Sequence, residues 1–248
     1  METALNLCFF QHQNNKHMEQ ANPVSLYWII FFGTALLSWL VQALLQSKFK
    51  KYSKIRISSG LTGAEVARKM LMENNITDVV VSSTRGILSD HYNPATRTVN
   101  LSESVYSGNS IMAAAVAAHE CGHALQHANG YVPLKMRSAL VPMVNFASQW
   151  VIWLILGGML LINVFPHLML FGIILFALTT LFSIITLPVE INASRRALAW
   201  LSQSGITHYE TYPMAQDALK TAAYTYVVAA ISSLATLFYY ITLFSRRN

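Results

Sequence analysis

Three long stretches of the chain carry no Asp, Glu, Lys or Arg: between Glu19 and Lys48, between Arg137 and Glu190, and between Lys220 and Arg246. A water-soluble domain needs a charged skin, and roughly 25% of its residues are charged. Here only 11% are charged and 54% are hydrophobic, so the gaps mark where aqueous surface is missing. A wholly soluble fold is excluded, and each gap reads as membrane-spanning.

The first gap holds an apolar run from Val24 to Leu45 that includes Tyr27, Trp28 and Trp39. At about 1.5 Å per residue a helix of this length crosses a hydrocarbon core of about 30 Å. A cleaved signal peptide would have a shorter apolar region behind basic residues, and only Lys16 precedes this one. The second gap, 52 residues long, suffices for two crossings, with Asn163, Pro166 and His167 at the turn between them. The third reads as a fourth span. The expected organisation is a tail over 1–23, a span over 24–46, a small α+β domain over 47–137, spans over 138–165 and 168–188, a polar segment over 189–220, and a last span over 221–245. The fold class is a mainly α-helical multi-pass membrane protein with four transmembrane helices and a small α+β domain.

Four spans put the two polar parts on one side of the membrane. Residues 47–137 hold 11 Lys and Arg and residues 189–220 hold three, against Lys16, Arg246 and Arg247 on the other side. A bias of 14 to 3 makes the polar face cytoplasmic. The net charge of +6 is then a membrane-edge property, and no nucleic-acid-binding pattern accompanies it. Cys8 and Cys121 are too few for a disulfide framework.

Within 47–137, Thr62 and Glu65 have the spacing of a capping box that opens a helix to about Asn74. Thr77–Ser82 reads as a buried strand, and Asp90–Pro94 as turn-rich. Thr96–Ser102 alternates, as an ordinary sheet strand or as an edge strand on which an extended peptide could pair. Ser107, Gly108 and Asn109 can cap a helix running to about Ala128.

That helix carries His119-Glu120-Cys121-Gly122-His123, an H-E-x-x-H sequence. Residues i and i+4 share a helix face, so both imidazoles can reach one Zn2+. Glu120 can stand beside the metal without binding it and take a proton from the attacking water. A catalytic zinc needs a third protein ligand. His127 lies roughly 12 Å of helix beyond His119 and reads as a polar helix-end residue. His167 falls on the other side of the membrane. Glu190 is the strongest candidate: it is the first charge after 52 residues, where the third span ends, and Pro188 is suited to starting a new helix there. His208, Glu210 and Asp217 are the alternatives. Cys121 reads as a packing residue.

The residues Asp90-His91-Tyr92-Asn93-Pro94, Leu101-Ser102, Ala118-His119-Glu120 through Gln126, Leu187-Pro188-Val189-Glu190 through Leu198, and Thr225-Tyr226-Val227 resemble a bacterial family of membrane zinc metallopeptidases. The resemblance covers roughly 24–245. It implies a multi-pass protein of the bacterial inner membrane with one zinc ion per chain; it supplies no substrate. More distantly, H-E-x-x-H followed by Glu190 and Ala193 is similar to the gluzincin pattern of CAAX-type and heat-shock membrane proteases. Those usually have Asp after the Ala, where this chain has Ser194.

The leading expectation is therefore a zinc-dependent endopeptidase acting on a peptide or protein, with His119, His123 and Glu190 as metal ligands and Glu120 as general base. An oxyanion donor is also needed, from among His91, His208, Tyr224, Tyr226 and Arg195. An intramembrane protease would need an Asp-Gly ligand in a span, which is absent from the sequence. The alternative class is a membrane scaffold or regulatory subunit that keeps zinc for structure.

Overall fold

The computed structural model describes residues 23–246. Most of the expected tail, with Cys8 and Lys16, lies outside the described residues, as does Arg247. The described elements are α1 (Pro23–Tyr52), α2 (Gly63–Glu73), β1 (Val80–Thr84), β2 (His91–Asn93), β3 (Thr98–Ser102), α3 (Glu103–Tyr106), α4 (Ile111–Ala128), α5 (Val132–Leu160), α6 (Pro166–Gln203) and α7 (Tyr212–Ser245).

Four of these, α1, α5, α6 and α7, are long and apolar enough to cross a membrane. Their outward faces expose large apolar side chains, among them Phe32, Trp39, Trp153 and Phe238. Such faces suit lipid and not water. The helices form an open row in which α1 packs on α7, α7 on α6 and α6 on α5, with no extensive packing between the end helices α1 and α5 among the described residues. Small residues let α5 and α6 approach: a Cβ at Gly158 would stand 2.5 Å from the Cα of Met169.

The polar domain is built around α4. Its Ala-rich sequence is apolar nearly all round, and most of its residues are buried. Helix α2 packs on it, opened by the expected capping box: the Thr62 hydroxyl accepts from the Glu65 N–H, and the Glu65 carboxylate accepts from the Thr62 N–H. The core joins Val66, Met70, Val99, Leu101, Ala117 and Cys121 to Ala197, Leu201, Ile206 and Leu219. Residues from 47–137 and from 189–220 thus share one core, so both lie on one side of the helix row. The N-cap of α4 is Ser110, whose hydroxyl accepts from the Ala113 N–H, and not one of residues 107–109.

Other local expectations also differ from what is observed: Asp90–Pro94, read as turn-rich, contains strand β2 (His91–Asn93). Pro188 does not open a new helix; α6 runs through it to Gln203. A proline costs one backbone hydrogen bond, and neighbouring helices can absorb that loss at a membrane helix. Beyond Pro188 the buried residues Val189, Glu190, Ala193, Ala197, Trp200 and Leu201 keep helical spacing, so burial sustains the helix. Of the two readings of 96–102, the ordinary sheet strand is observed and the edge strand is not. The sheet order is β1–β3–β2, with β3 parallel to β1 and antiparallel to β2, so both edges of β3 are already paired.

Candidate metal centre

His119 and His123 project from the same face of α4, their rings perpendicular with centroids 4.8 Å apart. Glu190 reaches them from α6. That approach depends on Gly122, because a Cβ there would stand 2.6 Å from the Ala193 carbonyl oxygen. The Oε2 of Glu190 lies 3.2 Å from His119 Nε2 and 3.6 Å from His123 Nε2. One ligand atom from each residue falls within 4.8 Å of the other two, a group able to hold a metal ion. Two imidazoles and a carboxylate are the donor set of catalytic zinc sites, which keep a fourth position open. The three side chains are only 14%, 10% and 3% exposed, so their polar atoms face one another and not water.

The groups behind these three fix their orientation. The Oε1 of Gln126 accepts from Nδ1 of His123 at 3.1 Å, which leaves Nε2 with its lone pair toward the centre. The amide of the buried Gln126 donates in turn to the Val189 carbonyl and to Asn192 Oδ1, so α4 and α6 are joined directly behind the site. Asn192 Oδ1 also accepts from Arg196. The Ser194 hydroxyl lies 3.1 Å from Nδ1 of His119. Burial alone would weaken the hold of His123 on a second proton. The adjacent Glu190, with Glu120 and Gln126, outweighs it and raises its pKa.

Glu120 lines the cleft beside His119 and Glu190 and reaches the sheet. Its Oε2 accepts from the Tyr92 N–H of β2 at 3.0 Å, which ties the sheet to the helix beside the cluster. Two lobes of one cleft meet here, both lined by Asp90, His119, Glu120, Glu190 and Tyr226. One, of about 160 Å3, is walled by apolar residues of α1, α4 and α7. The other, of about 240 Å3, is lined by His91, Tyr92, Arg137 and Ser138, among others.

Of the residues considered as oxyanion donors, Tyr226 and His91 line this cleft; His208, Tyr224 and Arg195 do not. His208 instead meets Ser58, and Asp217 pairs with Lys48 and Tyr52. His127 faces the Tyr92 hydroxyl at the helix end. His167, near the start of α6, is separated from Glu190 by roughly 35 Å of helix. Cys121 is fully buried with its thiol toward the Ala67 carbonyl, and burial pushes its pKa up. Arg137 was not singled out by sequence, yet its guanidinium lies 3.4 Å from Oε1 of Glu190. The only signal for it is that it is the last charge before the 52-residue gap.

Residues 27–245 match the sequence pattern of a family described as "Putative neutral zinc metallopeptidase". The chain is 47% identical over 208 residues, 84% of its own length and 92% of the relative's, to "Putative membrane protease YugP" of Bacillus subtilis (strain 168). No solved structure matches it. With a family match over nearly its whole length and a relative of this identity, the chain belongs to that zinc-metallopeptidase family.

Proposed function

We propose that the protein is a zinc-dependent endopeptidase of the bacterial cytoplasmic membrane, hydrolysing peptide bonds at its cytoplasmic face. The observation that carries this reading is the convergence of His119, His123 and Glu190, with the Glu120 carboxylate beside them in the same cleft. The three ligands suit one zinc ion per chain. When bound, zinc supplies Lewis acidity and lowers the pKa of water toward about 7.

Glu120 takes the proton that water loses as its oxygen bonds to the scissile carbonyl carbon. It then passes that proton to the amide nitrogen as the C–N bond breaks, which balances the hydrolysis. The Tyr92 N–H holds one Glu120 oxygen, which orients the carboxylate and leaves the other oxygen for proton transfer. Tyr226 donates its O–H to the carbonyl oxygen as that oxygen gains charge, a role supported by its presence in the lining of both lobes. Arg137, against Glu190, prevents that carboxylate from turning away from the two histidines.

The test compares wild type with Glu120→Gln in detergent. Zinc is measured by elemental analysis, and cleavage is followed on an unfolded protein. Equal zinc, with cleavage by wild type alone, is the expected outcome. Equal cleavage by both would overturn the role of Glu120. Zinc without cleavage by either would favour the structural-zinc scaffold.

A further inference from the structure

The two lobes of the cleft differ in chemistry, and the difference bears on the substrate. We infer that the lobe of about 160 Å3 is a specificity pocket that seats one aliphatic or phenyl side chain next to the scissile bond, so substrates carry a large apolar residue on one flank of the cut. This rests on the hydrolytic reading above. Met112 and Val116 lie two turns and one turn before His119 on the same face of α4, and Leu219 and Ala222 approach from α7. Leu45, near the end of the first membrane helix, completes the wall. A dry apolar cavity of ~150 Å3 holds a benzene-sized molecule, so the volume matches one such side chain.

The loop between β1 and β2 supplies a second observation. Leu88, also in the wall, has φ of +56°, and Gly86 before it has φ of +112°. A leucine rarely adopts left-handed backbone; such strain persists only where the surroundings hold it, and it clusters at functional sites. Here it turns an apolar side chain into a lobe that borders Glu120. The second lobe also has Pro94, Leu134 and Val141 in its wall, but with His91, Arg137 and Ser138 among them it is the more polar of the two. The stronger apolar preference therefore falls on the flank that enters the first lobe.

Ala222 and Leu45 offer opposite tests. Cut sites are mapped on a denatured protein mixture digested by wild type, Ala222→Phe and Leu45→Ala in detergent. Wild type should cut beside Leu, Ile, Met or Phe. Seating such a side chain favours it by roughly 10- to 100-fold over Gly. Ala222→Phe should shift the flank to Ala and Gly, and Leu45→Ala should shift it to Phe and Trp. A folding defect would lower both activities without moving the preferences apart.

Binding separates this inference from the hydrolytic reading. Fluorescent Gly-Ser peptides carrying one Leu, or one Asp in its place, are titrated onto zinc-loaded Glu120→Gln. Tighter binding of the Leu peptide, weakened by Ala222→Phe, supports the pocket even if wild type cuts nothing. Cleavage with no apolar flank, or equal binding of both peptides, overturns the pocket and leaves hydrolysis standing.

Discussion

Ser194 stands one residue after Ala193, where similar proteases usually carry Asp, and its hydroxyl lies 3.1 Å from Nδ1 of His119. A neutral hydroxyl can orient the ring, but it cannot raise ligand basicity as a carboxylate does. Ser194→Ala should therefore weaken zinc binding about tenfold, at the low end of the roughly 10- to 100-fold range for groups behind a ligand. Chelator competition would measure it, and unchanged affinity would show that Ser194 holds nothing. Glu190→Ala should lose far more; full retention of zinc affinity would mean that a different third ligand is used. His119, Glu120 and His123 were legible in sequence because i and i+4 geometry is local. Arg137 was not, because its partner Glu190 lies 53 positions away and only packing brings the two together.

Between elements, the decisive contact is the crossing of α4 and α6 at Gly122. The two histidines are on one helix and the glutamate is on the other, so the ligand spacing is the helix spacing. Gly122→Val would force its side chain against the Ala193 carbonyl, and a backbone oxygen cannot move aside as a flexible side chain can. Overpacking of this kind costs about 1–3 kcal/mol. The unfolding midpoint should fall, and zinc affinity should fall with it. A variant with lowered stability and full zinc affinity would show that the centre does not depend on this approach. Differences from the sequence reading also lie at this scale. Pro188 was read by its local habit, whereas burial of the flanking residues carries α6 through it. Alternation in 96–102 identified a strand, but strand order depends on partners and placed β3 in the middle.

Across the whole molecule, the helix row and the shared core put residues 47–137 and 189–220 on one side of the membrane spans. The proposal that this side faces the cytoplasm rests on the 14-to-3 distribution of Lys and Arg. In a Cys8→Ser, Cys121→Ala background, Ser59→Cys and Tyr209→Cys place labels at exposed positions of the two polar parts. A membrane-impermeant maleimide should leave both unlabelled in intact cells and label both after lysis. Labelling in intact cells would reverse the orientation.

The sequence by itself determined the membrane-spanning character, the number of spans, the capping box of α2 and the histidine pair. Each is written in a local property: charge-free length, or spacing along one helix. Tertiary structure alone decided what stands around that pair. Gln126, Arg137, Ser194 and the Tyr92 N–H gather from β2 and three helices around the histidines and the Glu190 that the charge gap had already marked, and the apolar lobe takes walls from α1, α4 and α7. These neighbours are set by which helices can approach closely, and that depends on small residues such as Gly122 meeting the right partner. Spacing along one chain does not contain that information, because the contact belongs to two surfaces at once.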